Sequence, residues 1–276
     1  MARNLVRFFT GDKVVKSPAM NRMGAQVART VLARVIHNVR APRPDPSISD
    51  YVATLRKEGS VSIPNFLPPD VFEDVVQRTQ AIWDREQSHV FDIHHGPNTL
   101  HVLAEKNVPI TKDLSPFFDD PRLKGILSTV ENRPNAYGTA HKAIECLVQG
   151  ADLETEDPET KLHSDIFYST HKAWLYLTDV KVASAPLVYV NGSREVSRKM
   201  LGYVYRESCG ANAGSRRITQ EELDDLGLKE TVFTCPRNTL VIADTFGHHR
   251  RLRGEPGEKR LALHVSLRGS PFFWWR

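Results

Sequence analysis

The stretch Leu162-His163-Ser164-Asp165-Ile166-Phe167-Tyr168 sets a histidine and an aspartate two positions apart among apolar residues. In an extended segment, residues at i and i+2 leave the same side of the backbone, so His163 and Asp165 can both contact one cation. With eleven histidines in the chain, chance alone would supply about one His-x-Asp tripeptide. A metal site therefore requires a third ligand from a distant part of the sequence.

A second stretch, Ala243-Asp244-Thr245-Phe246-Gly247-His248-His249, follows an apolar run and offers two adjacent histidines. A strand that is distant in sequence can lie next to the His-x-Asp segment in the fold. Two imidazoles and one carboxylate on one face of an octahedron leave three coordination sites open, which is the arrangement of non-haem Fe(II) oxygenases. The residues alone leave His248 and His249 as alternatives for the third ligand.

The second half of the chain is dominated by short β-branched and aromatic runs separated by Gly, Pro, Asn and Asp. These runs cover residues 143–148, 172–177, 186–190, 232–235, 239–243 and 260–267. Their spacing predicts an antiparallel sandwich or jelly roll. The first half has apolar residues at three- and four-residue spacing, which predicts helices over 21–39, 69–86 and 117–131, with one strand within 59–67. Further helical turns are expected over 194–205 and from Thr219.

The totals are those of an ordinary globular protein: 276 residues, 40% hydrophobic and 25% charged. We expect one elaborated domain over residues 47–276, preceded by a helical arm over residues 1–46. No apolar run approaches the eighteen or so residues of a membrane helix, and no secretory signal is evident. The three cysteines are odd in number and lack a C-x-x-C pair, so a reducing cytoplasm is the expected location.

The formal net charge of +4 comes from the N-terminal segment, where nine basic residues up to Arg43 face only Asp12. A solvated basic arm is the simplest interpretation. The Arg-rich, acid-poor composition also fits an organellar targeting peptide. No aromatic-basic motif accompanies the charge, so nucleic-acid binding is not expected.

Four histidines between residues 89 and 101 form a further cluster, but only Asp92 accompanies them at a matching spacing. We expect a polar loop or hairpin there, which could form a wall facing the substrate. Phe167, Tyr168 and His171 directly follow the His-x-Asp motif and are candidates for substrate contact, although aromatic residues at that spacing could also pack the loop. The apolar end of the chain, residues 272–275, could dock onto its own core or onto a second subunit of a homodimer.

From about residue 50 to 268 the sequence resembles the phytanoyl-CoA dioxygenase-like branch of the Fe(II)/2-oxoglutarate-dependent oxygenases. The resemblance is carried by the His-x-Asp motif, by a later histidine and by an arginine about eleven residues beyond it. Arg260 lies eleven positions after His249, which favours His249 over His248 as the ligand. The resemblance is strongest over residues 163–179, 186–193 and 241–267. It implies a double-stranded β-helix, the cupin-like jelly roll of α+β and mainly β proteins, buttressed by N-terminal helices.

The resemblance also implies a site. Its metal ligands are His163, Asp165 and His249, and its cofactors are Fe(II), 2-oxoglutarate and O₂, with ascorbate as an additive for activity in vitro. Arg260 would hold the C5 carboxylate of 2-oxoglutarate bidentately, and Trp174 would lie near the cosubstrate.

Where family members often carry a hydroxyl residue two positions after the ligating histidine, this chain has Arg251. That departure leaves the second partner of the C5 carboxylate open, with Thr245 or Ser266 as candidates. It also keeps His248 as the alternative ligand.

The function implied is a dioxygenase that hydroxylates a small organic molecule and releases succinate and CO₂. The alternative is a cupin-like metalloenzyme, such as an isomerase or a dioxygenase that does not use 2-oxoglutarate. That alternative would not require an arginine eleven residues after the ligand. Because Asp165 is present, halogenation is not expected.

Overall fold

The computed structural model describes residues 13–133, 136–152, 154–210 and 217–273. Among these residues the chain forms nine α-helices and ten β-strands, joined by short 3₁₀ turns. The helices are α1 (Pro18–Arg22), α2 (Ala25–Val39), α3 (Ser49–Glu58), α4 (Pro69–Arg85), α5 (Ile110–Asp113), α6 (Ser115–Phe118), α7 (Pro121–Glu131), α8 (Arg198–Cys209) and α9 (Gln220–Leu226).

The strands form two antiparallel sheets. The strands are β1 (Ser60–Ile63), β2 (Phe91–His95), β3 (Asn98–Ala104), β4 (His141–Val148), β5 (His171–Tyr176), β6 (Leu187–Val190), β7 (Glu230–Val232), β8 (Thr239–Asp244), β9 (His249–Arg251) and β10 (Lys259–Ser266). The large sheet has the order β1-β8-β5-β10-β4-β3-β2, and the small sheet has the order β7-β6-β9.

The two faces of the large sheet have different partners, and strand β5 shows why. Ala173 and Leu175 belong to the main core, which the helices α3, α4 and α7 cover. Trp174 and Tyr176 leave the opposite face and pack with residues of the small sheet such as Tyr189. Because successive side chains of a strand alternate in direction, this one strand serves the helical layer and the space between the sheets.

The predicted strands at 143–148, 172–177, 186–190, 239–243 and 260–267 are present, with ends shifted by one or two residues. The predicted helix over 21–39 is interrupted at Gly24, whose φ of 85° is left-handed. The insert expected over 194–205 begins four residues later, at Arg198. Thr219 caps α9 in a capping box with Glu222.

The prediction of a solvated basic arm is wrong for α2. Arg29 is 2% exposed, and its guanidinium lies 3.8 Å from the centre of the Phe167 ring. Asn21 donates to the Ser208 carbonyl of α8 at 2.8 Å, so α1 is also fastened to the rest of the fold. Residues 1–12 and 274–276, which carry part of the basic segment and of the apolar tail, lie outside the described residues.

The histidine cluster near residue 95 forms a hairpin, β2–β3, one of the two arrangements expected. His101 pairs with Asp92 at 2.6 Å on its exposed side. No helix of the described chain has the length and apolar character that crossing a bilayer demands.

Candidate metal centre and its cavities

Backbone pairing brings the two distant motifs together. His163 donates its N–H to the carbonyl of His249 at 3.0 Å, and His249 returns the bond at 2.9 Å. Two positions on, the N–H of Asp165 donates to the carbonyl of Thr245 at 2.9 Å. His163 and His249 are therefore directly opposite each other, with ring centres 4.6 Å apart.

The side chains of His163, Asp165 and His249 converge on one point; we call them the metal trio. Asp165 Oδ1 lies 3.9 Å from His163 Nε2 and 3.6 Å from His249 Nε2. One ligand atom from each lies within 4.8 Å of the others, and no other group of three or more His, Cys, Asp or Glu residues in the described ranges does this. Two imidazoles and one carboxylate are a donor set that suits Fe(II).

Hydrogen bonds to the backbone fix the tautomer of each imidazole. His163 Nδ1 lies 2.8 Å from the Lys161 carbonyl, and His249 Nδ1 lies 3.0 Å from the Gly247 carbonyl. A carbonyl only accepts, so both Nδ1 atoms carry the proton and both Nε2 atoms present a lone pair to the centre. Burial, followed by the neighbouring His249, lowers the pKa of His163 to about 4, which keeps its ring neutral at pH 7.

Asp165 is held ionised by a lysine that the sequence did not single out as a site residue. Lys172 Nζ lies 2.7 Å from Asp165 Oδ2, which leaves Oδ1 to face the imidazoles. Burial opposes ionisation of the carboxyl, but the Lys172 ammonium outweighs it and holds the pKa of Asp165 well below its usual range. Glu159 is a further nearby carboxylate, 3.5 Å from His163 Nε2.

His248 is buried but lies outside the metal trio. Its N–H donates to Ser193 Oγ at 2.8 Å, and its carbonyl accepts from the N–H of Val190 at 2.9 Å. Neighbouring side chains in extended backbone point in opposite directions, so only one of His248 and His249 can point toward His163 and Asp165. The geometry favours His249.

A cavity of about 340 Å³, the inner cavity, extends from the two histidines to Arg260. Arg260 donates to the carbonyl of Ala185 and lies 5.6 Å from the centre of the Tyr176 ring. Burial lowers its pKa. No carboxylate of the described residues forms an ion pair with it, so this partly buried guanidinium has donors left for an anion.

Strand register places other residues that line the inner cavity between the trio histidines and Arg260. Trp174 is paired with His264 across β5 and β10, and their rings stack with centres 5.4 Å apart. His264 Nδ1 lies 2.7 Å from Glu145 Oε1. Burial raises the pKa of Glu145, but His264 more than compensates and the pKa is lowered overall. Trp174 thus lines the inner cavity as a flat apolar wall beside the contact between His264 and Glu145.

Two residues near the motif have partners that the sequence did not reveal. Arg251 also lines the inner cavity, but its guanidinium is paired with the buried Asp157 at 2.7 Å. Thr245 Oγ1 is bonded to Thr170 Oγ1 at 2.8 Å and is not among the residues lining the cavity. Thr245 therefore supports the loop, and the geometry does not favour it as a cosubstrate partner.

The candidate substrate residues fall in different places. Phe167 is fully buried between Arg29 and Phe272. His171 is also buried and lies outside both cavities. Tyr168 lines a second cavity of about 430 Å³, whose lining also includes Asp165; we call it the outer cavity. The side chains of Phe167 and His171 point toward the helices and are packed in the interior, so the geometry does not favour them as substrate contacts.

His171 belongs instead to a buried network with Glu131, Asp244, Arg194 and His37. Its Nδ1 lies 3.0 Å from Glu131 Oε2, and its Nε2 lies 4.0 Å from Asp244 Oδ2. Arg194 Nε donates to Asp244 Oδ2 at 2.9 Å, and the ring of His37 stacks on that of His171. Burial raises the pKa of Asp244, but His171 and Arg194 outweigh it, so the pKa is strongly lowered.

The fold is similar to that of two solved enzymes described as non-heme and alpha ketoglutarate dependent. The first is the epimerase SnoN from nogalamycin biosynthesis, with a TM-score of 0.56, 15% identity, and coverage of 80% of this chain and 83% of that chain. The second is the carbocyclase SnoK from the same biosynthesis, with a TM-score of 0.50, 18% identity, and coverage of 79% and 82%. Neither a family model nor a curated protein matches the chain. The likeness confirms the predicted jelly-roll fold.

Lys172 and Glu145 are the site residues that sequence reasoning missed. Both lie on the same face of the sheet as an expected site residue. Lys172 lies two positions before Trp174 on β5. Glu145 on β4 is paired with Ala262 of β10, which lies two positions after Arg260. Period-two spacing from a proposed site residue is the signal that could have found Lys172. Glu145 required the register between β4 and β10, which the sequence does not give.

Proposed function

We propose that this chain is a non-haem Fe(II)- and 2-oxoglutarate-dependent oxygenase that hydroxylates a small organic molecule and releases succinate and CO₂. The observation that carries the proposal is a single cavity with histidines of a metal trio at one end and, at the other, a partly buried arginine that forms no ion pair with any carboxylate of the described residues. 2-Oxoglutarate has the matching chemistry, since one end can chelate a metal and the other is a free carboxylate.

The chain's own residues have clear tasks in this proposal. His163 and His249 present neutral Nε2 atoms, and Lys172 keeps Asp165 ionised and directs Oδ1 to the metal. Arg260 would bind the C5 carboxylate with charge-assisted hydrogen bonds. Bound iron with 2-oxoglutarate and O₂ supplies the oxidising chemistry. Supporting this cofactor set, SnoN has been crystallised with Fe³⁺ and alpha ketoglutarate.

The outcome of the reaction is a separate question from its cofactors. SnoN is named an epimerase and SnoK a carbocyclase, so the same fold accommodates products other than alcohols. The trio retains its carboxylate, which argues against halogenation. Product analysis by mass spectrometry distinguishes these outcomes, since hydroxylation adds one oxygen atom whereas epimerisation leaves the mass unchanged.

The cofactor proposal is tested by anaerobic titration of the protein with Fe(II), with and without 2-oxoglutarate. Chelation of the metal by the oxoacid should produce a weak visible charge-transfer band. A protein that binds Fe(II) but shows no band with 2-oxoglutarate would support the cupin-like alternative instead.

Arg260→Ala should raise the 2-oxoglutarate concentration needed for half-maximal band intensity, while Fe(II) binding is spared. Loss of a charge-assisted hydrogen bond costs about 1.5–3 kcal/mol, which corresponds to roughly 10- to 100-fold. Lys259→Ala is the matched control, because Lys259 precedes Arg260 on the same strand and is exposed on its other side. An unchanged requirement in Arg260→Ala would remove Arg260 from its role.

A further inference from the structure

The outer cavity adjoins the proposed metal centre but is separate from the proposed 2-oxoglutarate position. Asp165 lines it, and Lys172 and Arg268 line both cavities. Arg260, Trp174 and the two histidines of the trio line only the inner one. A molecule in the outer cavity would therefore contact the carboxylate side of the centre without displacing the cosubstrate.

The charges around the outer cavity are unbalanced. Lys13, Lys172 and Arg268 contribute three cations, whereas Asp165 is the one carboxylate in its lining and is already paired with Lys172 at 2.7 Å. Arg268 is exposed, and its Nε donates a long hydrogen bond of 3.4 Å to Ser266 Oγ. Neither Lys13 nor Arg268 forms an ion pair within the part of the chain that the structure describes. A concave wall with two uncompensated cations attracts anions.

The rest of the wall indicates an organic ligand of small size. Ile166 and Leu267 provide apolar surface, and Tyr168 provides an aromatic ring with a hydroxyl. Burial raises the pKa of Tyr168 to about 12, so the hydroxyl stays protonated and can donate a hydrogen bond. The volume of about 430 Å³ lies within the range of small-molecule pockets.

We infer that the outer cavity is the binding site of the oxidised substrate, and that this substrate is a small organic anion whose carboxylate or phosphate is held by Arg268 and Lys13. That the ligand is the oxidised substrate rests on the proposed function, whereas the anion site itself does not depend on iron. The apolar part of the molecule would lie along Ile166 and Leu267, with the Tyr168 hydroxyl as a further donor.

The anion preference can be measured on the metal-free protein by isothermal titration calorimetry. The probes are two matched pairs: phenylacetate against phenylacetamide, and phenyl phosphate against phenol. We expect each anion to bind at least about tenfold more tightly than its uncharged partner, equivalent to about 1.4 kcal/mol. Added salt should weaken this preference, because Arg268 is exposed and its charge is screened.

Arg268→Gln combined with Lys13→Gln should abolish the preference for both anions. Arg237→Gln combined with Lys229→Gln is the charge-matched control, since both residues are exposed and lie outside both cavities. Arg260 has free donors of its own, so the comparison is repeated in Arg260→Ala, where the preference should persist because Arg268 and Lys13 hold the anion. A carboxylate preference without a phosphate preference, or the reverse, identifies which anion the substrate carries.

The inference would be overturned by equal binding of the charged and uncharged probes, by binding of no probe at all, or by an anion preference that survives the double variant. Loss of the preference in Arg260→Ala would also overturn it, by placing the anion in the inner cavity. The proposed oxygenase function fails by a different measurement, the absent charge-transfer band, so the two failures are distinguishable.

Discussion

Two groups of histidines and carboxylates lie on opposite faces of the sheet at the start of β5, and only one has the geometry of a metal site. In the buried network, His171 and Arg194 compensate the carboxylates of Glu131 and Asp244. In the metal trio, the Nε2 atoms of both histidines and Asp165 Oδ1 converge on one point. The same residue types therefore stabilise the fold where their charges are paired and create a binding site where their lone pairs converge.

The difference between the two groups arises from the other hydrogen bonds that their side chains make. Each trio imidazole donates its Nδ1 proton to a backbone carbonyl, which leaves Nε2 as an acceptor. Asp244, in contrast, accepts from Arg194, from Ser169 Oγ at 2.8 Å and from the N–H of Phe246 at 3.1 Å. A carboxylate with that many donors has little capacity left for a metal ion.

Removing a ligand from the trio gives the largest expected effect. His249→Ala should reduce Fe(II) affinity by more than about 100-fold, since loss of an outer-shell partner alone costs roughly 10- to 100-fold. The free energy of unfolding of the metal-free protein should change by less than about 1 kcal/mol, because no buried charge is left unpaired. Equilibrium Fe(II) binding and urea unfolding measure the two quantities.

His248→Gln is the control for that variant, as the adjacent histidine faces away from the trio. It should retain Fe(II) affinity to within about threefold, much less than the cost of losing even an outer-shell partner. If His248→Gln lost the metal and His249→Ala kept it, the assignment of the third ligand would be reversed.

The buried network should respond in the opposite way. Asp244→Asn leaves the Arg194 guanidinium buried beside a neutral amide, so the free energy of unfolding should fall by about 3–5 kcal/mol. Chemical denaturation of the metal-free protein measures this loss. Fe(II) affinity of the molecules that remain folded should be largely retained, and a stability change below about 1 kcal/mol would mean that the network is not a structural element.

The network also predicts how acid affects stability. Burial, followed by the neighbouring His171, lowers the pKa of His37 to about 3, whereas an exposed histidine titrates near 6.5. Between these pH values the unfolded chain binds a proton that the folded chain does not. The contribution of His37 is therefore complete above pH 6.5 and is lost as the pH falls toward 3.

This loss should reach at most about 1.4 kcal/mol per pH unit for one proton. Urea unfolding of the metal-free protein at a series of pH values measures the slope, and His37→Gln should reduce it by up to one proton. A slope that stays the same in His37→Gln would show that other groups govern the acid sensitivity.

An exposed pair of the same residue types should have the smallest effect. Asp92 and His101 face each other at 2.6 Å on the β2–β3 hairpin, with both side chains more than 30% exposed. Solvent screens such pairs, so Asp92→Asn should change the free energy of unfolding by less than about 1 kcal/mol. A loss as large as that of Asp244→Asn would show that burial does not account for the difference between the regions.

The sequence predicted the parts of this fold that depend on local patterns. Alternation and β-branched runs located the central strands, and the relation between His249 and Arg260 predicted two ends of one cavity. The three-residue strand β9 was missed because its sequence, His249–Arg251, has no apolar pattern. It becomes a strand through its partner β6, a long-range contact that the local sequence does not encode.

The candidate site was predictable only where residues are related by period or by family resemblance. The role of Arg251 was left open because its partner Asp157 is 94 positions away in sequence. Phe167 follows the motif in an irregular segment, where the direction of a side chain does not follow a simple period. His171 begins β5 and points toward the helices, on the face opposite to Trp174. Lys172 was overlooked although it shares a face with Trp174.

The reciprocal hydrogen bonds between His163 and His249 join segments 86 positions apart. An unfolded chain does not hold these ligands together, so a metal ion that needs both binds the native state selectively. At a free metal concentration of about 100 times Kd, this selectivity would add about 2.7 kcal/mol to the free energy of unfolding. Metal occupancy would then set how long the protein resists heat and proteases, and iron supply would govern its abundance as well as its activity.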